Sequence, residues 1–262
     1  SLNNIHIQSG EKVDVSPITI QVNNAVVNGT IRDMNNQPIQ GVTVSFIDGL
    51  TPLPRTISDE NGNYAFSNVR TGLYHLDFSK DGCENMTWKT INVSGPGTYS
   101  MNMNLYKYDQ GFSSEDTSGG QHGLVTTMCA QSFVPFSSFI RKIKWIYWGD
   151  NFNARVEIRT DNVHNPSNVV IGQTDQIVKH DSYYDSPTGH LANVAYFSPA
   201  IPVIPGQKYW IVFVTLSGEL ALPGSTQNLY PKGESKWSDN GGVNWQYAWG
   251  EGNNDITFWT LY

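Results

Sequence analysis

Charge is scarce in this chain: 16 Lys and Arg and 23 Asp and Glu among 262 residues leave a formal net charge of -7. The longest basic cluster is RKIK at residues 141–144. The electrostatic footprint of a nucleic-acid binder is therefore missing, and DNA and RNA are not expected partners. Long apolar runs are absent too, with nothing near the roughly 18 residues of a membrane-spanning helix, so no membrane insertion is expected. SLNNIHIQSG at residues 1–10 lacks the charged and apolar regions of a signal peptide. With a strand-like IHI almost at once, it reads as a segment cut from a longer exported chain. Cysteine is limited to Cys83 and Cys129, in different halves and outside any CxxC pattern. A disulfide between them and two separate thiols both fit, and the compartment is not legible from them.

Catalytic signatures are missing as well. The histidines His6, His75, His122, His164, His180 and His190 form no HExxH and no i, i+4 pair, and there is no GxSxG or P-loop. Glu157, Asp161, Asp181 and Asp185 fall in one region and read as solvated loop acids rather than a glycosidase pair. The chain is expected not to be an enzyme.

What is present is turn and strand chemistry. Glycine 24, proline 13 and 12% aromatic residues accompany many Asn, Ser, Thr and Val, a mix that suits strands and tight turns. Period-2 alternation runs through VVNGTI, GVTVSFI, YHLDFS and YSMNMNLY, each bounded by Gly, Pro, Asn or Asp, while helical spacing is almost missing. The length allows two domains, each with its own core, and the expected fold is all-β with two β-sandwiches.

In the first of these, VNGTIRDMNNQPIQGVTVSF, TISDENGNYAFSNVRTGLYHLDFSKDGC and TINVSGPGTYSMNMNLY follow one another over residues 26–106. Gly29 sits in the first strand, where a close backbone approach is expected. NNQP at 35–38 is a turn, and Asp59, Asn61 and Gly62 make a second turn before Tyr64 and Phe66 on one face. Gly72 then precedes the alternating Tyr74, Leu76 and Phe78. This ordered string resembles the carboxypeptidase regulatory-like domain, which implies a transthyretin/Ig-like sandwich acting as a noncatalytic spacer. Its expected bounds are 21–107. IHIQSGEKVDVSPITI echoes INVSGPGTYSMNMNL further on, so residues 1–20 read either as the strand of a preceding repeat or as an extra strand. Polar, Gly- and Ser-rich residues 108–123 read as a linker and entry loop.

Residues 124–262 open on QSF, continue through VEIRTD and PGQKYWIVF, and close on DITF. These elements resemble a jelly-roll-like module appended to many secreted bacterial and phage surface proteins. The resemblance implies an extracellular or cell-surface setting, with carbohydrate-binding modules of the same architecture as the nearest functional analogy. Seven of the eight tryptophans lie here, Trp88 being the exception. Sugar C–H faces stack on aromatic rings while amides and carboxylates bond the hydroxyls, so exposed Trp or Tyr beside Asn and Asp makes a glycan platform. In IRKIKWIYW, Ile143, Trp145 and Tyr147 share one face and Lys142, Lys144 and Trp148 the other. Taking the lysines as the solvent side exposes Trp148. Trp210 alternates with Val212 and Val214 as core or sheet surface. Trp237, Trp245, Tyr247 and Trp249 crowd a Gly- and Asn-rich hairpin, where at least two rings should line one face. Tyr183, Tyr184 and Tyr230 are secondary candidates.

Carbohydrate modules of this kind often hold a structural calcium through loop carboxylates. Glu115 and Asp116 open the second domain and Asp255 closes it, which makes these three the candidate calcium ligands. SDNGGVNW at 238–245 resembles the Asp box of sialidases, with Asn240 where Asp is usual. A single box builds no propeller, so the stretch reads as the positive-φ turn that positions the ring cluster. The expected function is noncatalytic binding of a polysaccharide or cell-surface glycan. The alternative is a stalk-and-tip segment of a surface or phage fibre protein that binds a protein partner.

Overall fold

The computed structural model describes residues 24–48, 51–112, 124–125, 127–147, 152–175, 177–178, 183–184, 191–218, 220–225, 228–248 and 254–262. Residues 1–20 and 113–123, with the readings placed on them, lie outside this set. Among the described residues there is no α-helix. Contacts divide the chain into two compact units: one of the chain up to Arg32 with Gln37–Ser79 and Asn85–Met103, the other of Asp33–Asn36, Lys80–Glu84 and Asn104–Tyr262.

The earlier strands are β1 (Ala25–Asp33), β2 (Thr43–Asp48), β3 (Thr51–Ile57), β4 (Asn63–Val69), β5 (Gly72–Ser79), β6 (Met86–Val93), β7 (Gly97–Ser100) and β8 (Met103–Leu105). One sheet has the order β4-β1-β7, with β8 also on β1, and the other β3-β2-β5-β6. Alternation decides what they bury: Tyr64 and Phe66 from β4 meet Phe46 of β2 and Tyr74, Leu76 and Phe78 of β5. Phe46 lies edge-on to Phe66 at 4.4 Å and to Tyr74 at 5.1 Å, which joins the two sheets.

Two sequence features of this sandwich have direct steric or hydrogen-bonding reasons. A Cβ on Gly29 would stand 1.9 Å from the Met101 carbonyl oxygen, so only glycine admits that approach. The Asp59 carboxylate accepts from the backbone N–H of Asn61 (2.9 Å) and Asn63 (2.8 Å), while Gly62 takes φ 78° to close the turn.

The second unit continues with β9 (Tyr108–Phe112), β10 (Leu124–Val125), β11 (Met128–Phe133), β12 (Phe139–Tyr147), β13 (Asn153–Asp161), β14 (Pro166–Gln173), β15 (Ile177–Val178) and β16 (Tyr183–Tyr184). Then follow β17 (Leu191–Pro202), β18 (Tyr209–Ser217), β19 (Ala221–Leu222), β20 (Gly224–Ser225), β21 (Ser235–Ser238), β22 (Gln246–Tyr247), β23 (Asp255–Ile256) and β24 (Phe258–Leu261). A seven-stranded sheet runs β14-β13-β18-β11-β21-β22, with β15 also on β13, and a five-stranded sheet runs β16-β17-β12-β24-β9. Phe133, Ile143, Trp145, Val156, Ile158, Ile211, Phe213 and Phe258 form the core between them. Each fully buried side chain of this kind contributes about 1.5 to 3 kcal/mol. The architecture is a jelly-roll-like sandwich.

Two expectations fail in this unit. Tyr108–Phe112, read as the start of a linker, is the strand β9, which pairs with β24 from Tyr108↔Leu261 to Phe112↔Phe258. Lys142 and Lys144 do not mark solvent, because both are buried. Lys142 Nζ donates to Glu84 Oε1 at 2.6 Å between the rings of Tyr106 (5.0 Å) and Tyr196 (5.2 Å), and Lys144 Nζ lies 5.3 Å from the Trp259 ring. Paired charge and aromatic cover replace water on that face.

Candidate functional site

The outer face of the seven-stranded sheet is set by alternation in its central strands. In β13, Ala154, Val156 and Ile158 point into the core, which leaves Arg155, Glu157 and Arg159 outside. β18 similarly sends Trp210, Val212 and Val214 outward, where they pack with Met128 and Ala130 of β11 and with half-buried Trp245. The register Ala130↔Lys236↔Tyr247 puts Lys236 and Tyr247 on the same side.

This face is strongly polarised. Glu157, read as a loop acid, is a buried strand residue bridging two guanidinium groups: Arg155 Nη2 is 2.5 Å from Oε1 and Arg159 Nη2 is 2.6 Å from Oε2. Two cations against one carboxylate leave the pair of arginines in charge excess. Asp161, at the end of β13, accepts the Trp210 indole N–H at 2.7 Å. Asp181 and Asp185 lie outside the described residues. Lys236, 4% exposed, donates to Asn165 Oδ1 at 2.8 Å, with its Nζ 4.3 Å from the Tyr247 ring and 5.9 Å from that of Trp210. Burial lowers its pKa, with Glu234 and Asp161 acting against that shift. Glu234 accepts from Lys208 at 3.1 Å and faces His164 Nδ1 at 3.2 Å, so acids and bases alternate along this end of the sheet.

The 238–245 turn folds over the same face. Ser238 Oγ donates to Asn240 Oδ1 (2.9 Å) and accepts from Gly242 N (2.9 Å), while Asn240 Oδ1 also accepts from Asn244 N (3.0 Å). Positive φ falls on Gly241 (72°) and Gly242 (86°). A Cβ on Gly242 would meet Met128 Sδ at 3.3 Å and Arg159 Nη1 at 3.4 Å, so the turn lies against the polar strands. The Trp245 indole N–H is enclosed, with no hydrogen-bond partner among the described residues. Tyr247 is 41% exposed.

Of the expected ring residues, Trp245 and Tyr247 therefore share this face, Trp245 packed on the cluster that contains Trp210 and Tyr247 over Lys236. Trp237 does not join them. It pairs in register with the core residue Cys129 and lies half-buried on the inner side. Trp148 and Trp249 fall outside the described residues, and Tyr183 and Tyr184 are known only as the strand β16 on β17. Tyr230 is corrected from glycan candidate to core. Its ring lies edge-on to Phe258 at 5.4 Å, its hydroxyl donates to Gln110 Oε1 at 3.0 Å, and burial pushes its pKa up to about 12.

Asp255 is likewise no open calcium ligand, being 0% exposed. Its oxygens accept from Gln131 Nε2 (3.0 Å) and Tyr230 N (2.9 Å), and burial raises its pKa to about 6. Glu115 and Asp116 lie outside the described residues. Among the described residues no group of His, Cys, Asp and Glu side chains is arranged to hold a metal ion. Cys83 and Cys129 are both buried thiols. Lys236 and Arg159 were not legible as site residues in the sequence, and Asp161 was read only as a loop acid. The available signal was the alternation of VEIRTD, which already puts Glu157, Arg159 and Asp161 on one face.

Residues 26–106 match the family model of the carboxypeptidase regulatory-like domain. Among solved structures, the chain is similar to a Bacteroides uniformis protein provisionally named as carbohydrate binding, at 11% identity over 91% of this chain and 98% of that one, with a TM-score of 0.31. It is also similar to a chain of a type II cohesin-X-dockerin complex from Acetivibrio cellulolyticus, at 16% identity and a TM-score of 0.28, over 34% of this chain. In that comparison the chain spans 61% of the other's length. A third similarity is to 5-hydroxyisourate hydrolase of Klebsiella pneumoniae, at 16% identity over 32% of this chain and 92% of that one, with a TM-score of 0.24. No curated protein matches the chain.

Proposed function

We propose that the chain is a noncatalytic extracellular glycan-binding segment, in which the second sandwich contacts sugar and the first acts as its spacer. The observation that carries this reading is the exposed Tyr247 ring held over the buried Lys236 ammonium, on the face where Trp245 also packs. Asn165 stands at its edge and the Asn240–Asn244 turn beside it. An aromatic surface with amide and charged groups close by is the chemistry that binds a sugar's C–H face and hydroxyls together. Titration against a panel of neutral and acidic oligosaccharides and polysaccharides tests it. Binding that falls about tenfold in Tyr247→Ala, an effect of about 1.4 kcal/mol, supports the reading. Absence of binding to every glycan, or binding of the neutral glycans indifferent to Tyr247→Ala, overturns it.

One observation favours the alternative of a stalk-and-tip segment with a protein partner. Ile57, Leu73 and Trp88 are exposed on the outer side of the β3-β2-β5-β6 sheet, where a protein partner could cover each of them. A stable oligomer in solution that Trp88→Ala disperses would favour it.

A further inference from the structure

Away from the Tyr247 face, the second unit contains a concave pocket of about 440 Å³ lined by Tyr108, Asp109, Phe136, Ser138, Phe139 and Tyr262 among others. Its volume lies within the range of small-ligand sites. The walls are fixed by one carboxylate. Asp109 Oδ1 accepts from the backbone N–H of Phe136 (3.0 Å) and Ser137 (2.6 Å), and Oδ2 from Thr260 Oγ1 (3.3 Å). Ser137 Oγ in turn donates to the Phe139 carbonyl at 2.8 Å. Asp109 is thereby engaged by three donors in shaping the loop.

Rings make up much of the remaining lining, and two cations lie against those rings. Phe136 is 66% exposed, an uncommon setting for phenylalanine. Phe139 and Tyr262 meet edge-on at 6.3 Å and form a corner. Lys232 Nζ lies 4.4 Å from the Phe136 ring centre, and the Arg141 guanidinium lies 5.1 Å from that of Phe139. Neither cation is ion-paired with a carboxylate among the described residues. The enclosed Arg141 Nε has no hydrogen-bond partner among them.

We propose that this pocket binds an acidic sugar residue, with its ring against the aromatic walls and its carboxylate on Lys232. Stacking alone would accept any sugar. The unmatched ammonium, with two or more N–H donors still available, selects one bearing a carboxylate, and Arg141 adds attraction from behind Phe139. A small free carboxylate lacks the ring that the walls take. A neutral sugar leaves the two cations without a counter-charge. This site goes beyond the Tyr247 face and is separable from it by mutation.

The test is calorimetric titration of the full chain with oligogalacturonate, oligomannuronate and sialyllactose, and in parallel with neutral xylotetraose. Each is run at about 50 and 300 mM salt, conditions between which an exposed ion pair is increasingly screened. The variants are Phe136→Ala and Lys232→Gln, both at exposed positions, and Tyr247→Ala, with thermal unfolding to confirm that each is folded. The expected result is that at least one acidic ligand binds more tightly than xylotetraose. Its affinity should fall at least tenfold in Phe136→Ala and in Lys232→Gln, fall with salt, and persist in Tyr247→Ala. Failure of all three acidic ligands to bind overturns the proposal, as does equal affinity for xylotetraose. Loss in Tyr247→Ala with retention in Phe136→Ala overturns it too, by moving the acidic sugar to the other face. Neutral glycans whose binding depends on Tyr247 would still stand as support for the general function.

Discussion

Lys142 and Lys236 occupy equivalent situations on the outer faces of the two sheets and differ in how they are compensated. Each is almost fully buried, at 3% and 4% exposure, and each lies beneath tyrosine rings. Lys142 is closed by the Glu84 carboxylate, so the charge is matched and its surroundings are structural. Lys236 hydrogen-bonds the neutral amide of Asn165, while the rings over the two lysines, Tyr196 and Tyr247, are both open to water. A buried cation matched by an amide rather than an acid retains attraction for an incoming electron-rich group, and the ring above it supplies the contact surface. The same local device thus ends on an acid on one side of the sandwich and on an amide on the other, the side proposed to receive a ligand.

The largest expected effect tests the closed member. Glu84→Ala should destabilise the protein by about 3 kcal/mol, because it leaves Lys142 buried without its counter-charge, as read from chemical denaturation. A loss no larger than that at Lys236 would dissolve the contrast.

Asp255 extends the comparison to a buried acid without a cation. Its folded pKa of about 6 lies above the ordinary 3.8. The folded state therefore holds the extra proton, and the acid's contribution is fully present below the ordinary value and lost as pH rises through about 6. Asp255→Asn should gain on the wild type by about 2 kcal/mol between pH 4 and 7. A pH-independent difference in denaturation midpoints would show that burial does not raise the Asp255 pKa in the folded state.

Next in size is Tyr247→Ala, which should lower glycan affinity about tenfold while changing stability by less than about 0.5 kcal/mol. A large stability loss would make the ring structural. The smallest effect belongs to Asn165→Ala, about 1 kcal/mol, the ordinary worth of a hydrogen bond to a charged group discounted for its nearness to solvent.

Much of the architecture was legible because alternation and turn chemistry are local. Tyr64, Phe66, Tyr74, Leu76 and Phe78 were readable as one buried set, and the Asp59–Gly62 turn and the crowding at Gly29 followed from residue type. The errors share one origin. Period 2 says which residues share a face, but not what another segment lays on top of it. Lys142 looked solvent-facing because its cover comes from Glu84, Tyr106 and Tyr196, distant in sequence. Trp237 and Tyr247 looked like neighbours because the hairpin brings them close, whereas the register with Cys129 and Lys236 assigns them opposite sides. Tyr230 sat in a loop-like stretch whose burial depends on Gln110 and Phe258.

The turn at 238–245 has a consequence for how such a surface is diversified. Its hydrogen bonds close on themselves through Ser238 and Asn240, and its reversal rests on Gly241 and Gly242. Asp239 and Val243 project away and contribute little to holding it. The segment is therefore a cassette. Substitutions or insertions at those two tips should redraw the edge of the proposed binding surface while leaving the sheet beneath unaltered, which makes it the natural place to vary or engineer selectivity.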